Sequence, residues 1–240
     1  MKNLLEVIEV DAYYGIMPAL KRVSVTVSDE EVVFVLGLNG AGKTTLLRVI
    51  SGLIQSTHGD IIFSGQRING LSTEELVKMG ISHVPERRRL FGGLTIMENL
   101  EMGAYVRGGS RADIAEDMDM IFSYFPRLLE RKSQLTRQLS GGEQQMVAIA
   151  RGLMSRPSLV LMDEPSLGLS PKMVDELTEL IQIIVQKYHT SVLLVEQNVS
   201  LALDVGSRGY ILQGGEVEFS GSKTEFASSP LLKKAFLGYD

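Results

Sequence analysis

Apolar and polar positions change rhythm three times along this chain. Residues 4–10, 19–27 and 32–36 form short apolar-rich runs, and in the second of them Val23, Val25 and Val27 alternate with Ser24, Thr26 and Ser28. A period of two is that of a strand with one buried face. The run Val32-Val33-Phe34-Val35-Leu36 has no polar member, as a strand buried on both faces requires. These runs predict an antiparallel patch that leads into a central buried strand. A helix is predicted over about 42–51, a strand over 59–64 and a turn at Gly65-Gln66. Between 95 and 155 the spacing is mostly helical, with polar, Gly-containing breaks near 107–110 and at Pro126. Strand and helix then alternate again. A strand is predicted over 159–162, a helix over 173–187 with apolar face Met173, Leu177, Leu180, Ile181 and Ile184, and a strand over 191–195. A hairpin around Gly214-Gly215 spans 208–219, with short helices expected after it.

Four helix starts carry the pattern S/T-x-x-E, at Ser72…Glu75, Thr95…Glu98, Ser140…Glu143 and Ser222…Glu225. In that spacing the hydroxyl and the carboxylate cap each other's backbone N–H. Ser170-Pro171 is a fifth entry, a cap followed by proline at the first helical position. The order of elements predicts one α/β domain over 1–240: a mixed sheet flanked by helices and an antiparallel β subdomain, drawn from 1–86 and 156–240, with a helical subdomain inserted at about 87–155.

Composition narrows the classes. The chain is 44% hydrophobic and 22% charged, ordinary for a water-soluble protein with a real core. A net charge of −5 argues against a nucleic-acid partner. With no cysteine, disulfides and thiolate metal sites are excluded, which suits a reducing compartment. The start lacks a signal-peptide core, and no apolar run approaches the roughly eighteen residues that span a bilayer. Any membrane connection is expected to run through partners.

Two strand ends carry candidate chemistry. After the 32–36 run comes Gly37-Leu38-Asn39-Gly40-Ala41-Gly42-Lys43-Thr44-Thr45, which is G-x-x-x-x-G-K-[ST] between a strand and a helix. Glycines let backbone N–H groups close around a triphosphate, with the positive end of the following helix behind them. Lys43 would reach the β/γ phosphates and the Thr44 hydroxyl would ligate Mg²⁺. The expected fold class is therefore α/β with a P-loop NTPase core. The second strand end is Leu159-Val160-Leu161-Met162-Asp163-Glu164. There Asp163 would hold Mg²⁺ through water, and Glu164 would orient and polarise the attacking water.

A third motif, Leu139-Ser140-Gly141-Gly142-Glu143-Gln144-Gln145, opens a helix with apolar face Met146, Ile149 and Leu153. A capping box needs only Ser140 and Glu143. Two glycines at the same helix start would also expose N–H groups to an anion.

The P-loop, LSGGEQQ and Leu-Met-Asp-Glu-Pro, in this order and spacing, resemble an ATP-binding cassette (ABC) ATPase over essentially the whole chain. The resemblance implies ATP and Mg²⁺ as cofactors and a head-to-tail dimer with a second ABC ATPase, identical or different. In that dimer Ser140, Gly141 and Gly142 would act on the partner's nucleotide. It implies that an aromatic ring, here Tyr14 rather than Tyr13, stacks on adenine. It also implies transmembrane permease subunits, which would hold the chain peripherally at the cytoplasmic side of the inner membrane.

Three positions depart from the family pattern. Glu86, in Val84-Pro85-Glu86, replaces the usual glutamine, and a carboxylate there is a better Mg²⁺ ligand. Gln197, in Val195-Glu196-Gln197-Asn198, stands where the switch histidine is expected. It can sense and position a γ-phosphate but cannot become an imidazolium. Ser170 replaces an aspartate in the loop after Glu164. His58, His83 and His189 lie elsewhere and are read as structural or surface residues. Pro-Glu-x-Arg-Arg-x-Phe, Pro-Ser-Leu-Gly-Leu and Val-Glu-Gln-Asn together resemble one ATPase of branched-chain amino-acid importers, although relatives often carry Gly in place of Arg87. The arginine run 87–89 is either a solvated surface or a permease-contacting face. An exporter or lipid-transport ATPase and a soluble, permease-free ATPase of the same superfamily remain the alternative readings.

Overall fold

The computed structural model describes residues 3–229 and Leu232. The chain begins with β1 (Asn3–Tyr14) and β2 (Met17–Ser28), which turn at Gly15 with φ 61°. They pair antiparallel with several register shifts, and β1 also pairs with β4 (His58–Phe63), which in turn pairs with β5 (Gln66–Arg67). The shifts break the period-two pattern, so both strands run further than their alternation predicts. Between these strands lie β3 (Val32–Leu36) and α1 (Lys43–Ile50). After them come α2 (Thr73–Lys78) and β6 (Ile81–Val84). Four helices follow: α3 (Ile96–Ala104), α4 (Arg111–Tyr124), α5 (Pro126–Glu130) and α6 (Gly141–Leu153). The chain then forms β7 (Leu159–Asp163), α7 (Pro171–Tyr188), β8 (Ser191–Glu196) and α8 (Val199–Val205). The hairpin β9 (Arg208–Gln213) and β10 (Glu216–Ser222) precedes α9 (Lys223–Ser228). Any helix expected further on, Leu232 apart, lies outside the described residues.

The second sheet has the order β10-β9-β3-β8-β7-β6, parallel except for β10. Along β3, alternate side chains go to opposite faces. Val33 and Val35 join Leu46, Leu47 and Ile50 of α1 and the antiparallel sheet in one core. Phe34 and Leu36 face Ile211 and Phe226, with the Phe34 and Phe226 rings edge to face at 4.8 Å. Val160, Met162, Val192 and Leu194 pack against Ile149 and Leu153 of α6 and Leu177 and Ile181 of α7. Each such buried aliphatic side chain contributes about 1.5–3 kcal/mol.

Capping boxes close at Ser72, Thr95, Ser140 and Ser222 as their spacing predicts, and at Ser110 with Asp113 in the acidic role. Ser170 departs from expectation: it is the N-cap residue of α7 with Pro171 next, but its hydroxyl makes no capping bond. Only its carbonyl enters the helix, accepting from Val174 N–H at 3.0 Å.

Close strand packing makes one glycine irreplaceable. A Cβ on Gly209 of β9 would overlap the Phe34 ring and lie 2.5 Å from the Phe34 carbonyl oxygen. Gly209→Ala is expected to destabilise the fold by about 3 kcal/mol, because neither strand can retreat within the sheet. Thermal unfolding checks this, and an unchanged Tm would contradict the packing.

Candidate functional site

Four adjacent parallel strands, in the order β3-β8-β7-β6, end on the same edge of the sheet. The loops that leave their carboxyl ends carry residues 37–42, Gln197, Glu164 and Glu86 respectively. Carboxyl ends of parallel strands are where α/β sheets bind ligands. Here they open on a cavity of about 730 Å³, lined on one side by Asn39, Gly40, Ala41, Gly42, Lys43, Thr44 and Thr45, and on the others by Tyr14, Glu86, Glu164 and Gln197.

The loop after β3 is shaped for an anion. Gly40 has φ 80° and no atom within 4 Å of where its Cβ would stand, so its backbone is open to a ligand. Gly42 is the N-cap of α1 with φ 108° and has no side chain to satisfy the first-turn N–H groups of Lys43, Thr44 and Thr45. Lys43 is 4% exposed, and its Nζ donates to the carbonyls of Gly37 at 2.7 Å and Leu38 at 3.2 Å. The same Nζ lies 2.9 Å from Glu164 Oε1.

Glu164 follows β7 with φ 45°, left-handed for a non-glycine residue, and is pinned by its N–H to Val195 O at 2.9 Å. Such a backbone is strained and aims the carboxylate back toward the cavity. Gln197 Nε2 donates to both Glu164 oxygens, at 3.0 and 3.1 Å, and to Asn39 Oδ1 at 2.7 Å. Gln197 thus ties the Glu164 carboxylate to the loop after β3.

Asp163, the last residue of β7, is buried and does not line the cavity, but it accepts from Thr44 Oγ1, which does, at 3.0 Å. Burial pushes its carboxyl up from the ordinary value, the Thr44 bond opposes this, and Glu164 and Glu86 add to it. The Glu86 side chain is 36% exposed at the rim and pairs with Arg87 at 3.4 Å. At the other end the Tyr14 ring is half exposed, and its hydroxyl accepts from Arg48 at 3.2 Å and lies 3.5 Å from Thr45 Oγ1.

Ser140, Gly141 and Gly142 do not line this cavity. They sit at the start of α6, where Ser140 completes the capping box and Arg88 leans on Gly141, 3.1 Å from where a Cβ would stand. Arg87 and Arg89 on either side are exposed, and all three arginines have positive φ, 61°, 62° and 43°. His83 lies beneath α1 with Nδ1 3.2 Å from Ser51 Oγ. Burial, helped by Arg48 and Arg89, pushes its pKa down to about 4.

Sequence reading did not single out three features of the site. Gly214 and Gly215 line the cavity, and Gly215 N–H donates to Ala41 O at 3.0 Å, so the β9–β10 turn props the P-loop. Leu167 lies on the rim, half exposed. Glu196 is buried at the end of β8. Burial pushes its carboxyl up, against the pull of bonds from Ser166, Asn198 and Gln197. An acid closing an apolar strand is the same signal as Asp163, and it precedes Gln197 directly.

The family described as ABC transporter matches residues 20–167. Among curated proteins, the high-affinity branched-chain amino acid transport ATP-binding protein BraG of Pseudomonas aeruginosa is 41% identical over 96% of this chain and 97% of its own. A nucleotide-free ATP-binding cassette from an ABC transporter superposes with a TM-score of 0.88 at 24% identity, covering 99% of this chain and all of that one, a likeness of fold. A dimeric ATP-binding cassette in a post-hydrolysis state, bound to ADP and Pi, superposes with a TM-score of 0.82 at 28% identity over 91% of this chain and 98% of that one.

Proposed function

The chain belongs to the ABC transporter family, and on that premise we propose that it is the ATP-hydrolysing subunit of an importer for branched-chain amino acids or a similar small solute. The observation that carries the chemistry is the convergence of Lys43, Thr44, Glu164 and Gln197 around one cavity, with the buried Asp163 bonded to Thr44. Full-length likeness to BraG carries the importer branch over an exporter or a permease-free ATPase.

In the proposed mechanism the first-turn N–H groups and Lys43 take the phosphates, and Tyr14, anchored by Arg48, stacks on adenine. Glu164 orients and polarises the attacking water, and Gln197 holds Glu164 in place while offering its amide to the γ-phosphate. Thr44 and Asp163, bonded to each other at 3.0 Å, are oxygen donors of the kind Mg²⁺ takes, and Glu86 at the rim would add a third; the ion would supply charge neutralisation for the phosphates. Ser140, Gly141 and Gly142, outside this cavity, complete the site of a second cassette packed head to tail, the same chain or a different one. Among the described residues no helix is long and apolar enough to cross a membrane. The likeness to BraG, a transport ATP-binding protein, supports a peripheral location on permease subunits at the cytoplasmic face of the inner membrane, with the exposed arginines of 87–89 on the permease side. The domain division at about 87 and 155 is part of the same proposal.

Phosphate release by the purified chain, with co-purification from its native membrane, tests this reading. ATP turnover and recovery of a permease with an amino-acid-binding partner are expected. Absence of turnover, alone and with membrane partners, would overturn the activity; recovery of an exporter would overturn the branch.

Glu86 yields a separate expectation. Three carboxylates, Glu86, Asp163 and Glu164, would meet a triphosphate here, so ATP without Mg²⁺ should be repelled. Chelating Mg²⁺ should weaken ATP binding about tenfold more in the wild-type chain than in Glu86→Gln. Titration calorimetry with and without a chelator measures this, and an equal loss in both would remove Glu86 from the ion's ligands.

A further inference from the structure

Glu196 has a buried carboxylate that the roles above leave unexplained. It is 2% exposed at the end of β8. One oxygen accepts the N–H of Ser166 at 2.9 Å, in the loop two residues beyond Glu164. The other accepts the N–H groups of Gln197 at 3.0 Å and Asn198 at 3.1 Å. One side chain thus joins the loop after β7 to the loop after β8, and these two loops carry Glu164 and Gln197. A buried carboxylate is tolerated only when its lone pairs are satisfied, and an apolar replacement would leave backbone donors in both loops without an acceptor.

We propose that Glu196 is a positioning residue for hydrolysis, an anionic brace that locks the two loops together and so holds the Gln197 amide on Glu164 and Asn39. The proposal rests on the assignment of Glu164 and Gln197 as the hydrolytic pair. Gln197 has two anchors, its backbone N–H on Glu196 and its side chain on Asn39 and Glu164. Without the first, the side chain is free to leave the second. The phosphate cradle itself, from Gly37 to Thr45, makes no hydrogen bond to Glu196, so nucleotide binding should survive.

The test compares the full chain as wild type, Glu196→Gln, Gln197→Ala and the double variant. Glutamine keeps the volume but turns one acceptor into a donor that faces a backbone N–H. In Glu196→Gln, kcat is expected to fall about tenfold while KM for ATP stays within about threefold. Because Glu196 acts through Gln197, the double variant should be less than about threefold slower than Gln197→Ala alone. Wild-type kcat in Glu196→Gln, loss of ATP binding together with kcat, or multiplication of the two effects would each overturn the proposal. If Glu196→Gln does not fold, Glu196→Asp, with the anion drawn back by one methylene, should show the same split in weaker form; wild-type kcat there also overturns it. Backbone amide exchange reads the brace independently of turnover. Exchange at Ser166, Gln197 and Asn198 should rise about tenfold in the variant with β3 unchanged. Unchanged exchange would sink the brace even if the chain proved to have no ATPase activity, and raised exchange would support it in the same case.

Discussion

Glu164→Gln should lower ATP turnover by about 10²-fold or more while ATP binding becomes tighter. Two consequences of one geometry produce this split. The carboxylate is the group placed to take a proton from water, and an amide cannot accept it. The carboxylate also neutralises Lys43, which is 4% exposed and whose Nζ lies 2.9 Å from Glu164. In the free chain Glu164 occupies Lys43 as an internal anion, so an incoming phosphate must compete with it. Removing one partner of a buried ion pair leaves the other charge uncompensated. The variant should therefore be less stable without nucleotide and gain more from it. A larger ATP-induced rise in Tm than in the wild type reads that gain directly. Because bound ATP is not consumed, the variant should also accumulate as an ATP-dependent dimer in size-exclusion chromatography. Hydrolysis at the wild-type rate would mean that another group activates the water. An unchanged ATP affinity would mean that the Lys43–Glu164 pair does not compete with phosphate.

Legibility in the sequence followed local physics. The P-loop could be read because its glycines, lysine and threonine are contiguous and lie between an unbroken apolar run and a helix. The start of α6 could be read because its capping box is local, and the structure closes that box at Ser140. Residues 81–84 escaped because Ile81-Ser82-His83-Val84 is short and half polar; only pairing with β7 makes it a strand. Residues 199–205 escaped because their helix depends on Asn198, whose side chain accepts Leu201 N–H at 3.2 Å. The extra length of β1 and β2 was hidden by the register shifts that break alternation. In the site, sequence order gave no sign that Gln197 touches Asn39, 158 positions away. That contact arises because β3 and β8 are neighbours in the sheet, which no local pattern encodes. Ser166 and Glu196 belong to the same class, joined only by the adjacency of β7 and β8.

Gly42→Ala should abolish most ATP binding, by about 100-fold, and leave the fold in place. Gly42 has φ 108° and ψ 0°, outside the left-handed basin that other residues visit near φ +60°. A methyl there would also stand 2.8 Å from the Ala19 carbonyl oxygen and 3.0 Å from Leu20 Cδ2. Both neighbours belong to β2, whose backbone is held by β1 and by the Lys21 N–H bond to Gly215 O at 2.8 Å. The sheet cannot retreat, so the loop must rotate. Rotation at the N-cap turns the peptide units of Lys43 and Thr44 and takes their N–H groups off the anion's position. Because α1 is anchored beyond its first turn by buried Leu46, Leu47 and Ile50, the helix itself should persist. Circular dichroism should accordingly stay near that of the wild type while calorimetric ATP binding is lost. Gly40→Ala provides the contrast. Gly40 has φ 80° but nothing within 4 Å of its Cβ position, so only backbone strain opposes the methyl. Its effect on ATP affinity should be smaller than that of Gly42→Ala. A reversed order would mean that the collision with β2 does not set the shape of the phosphate cradle.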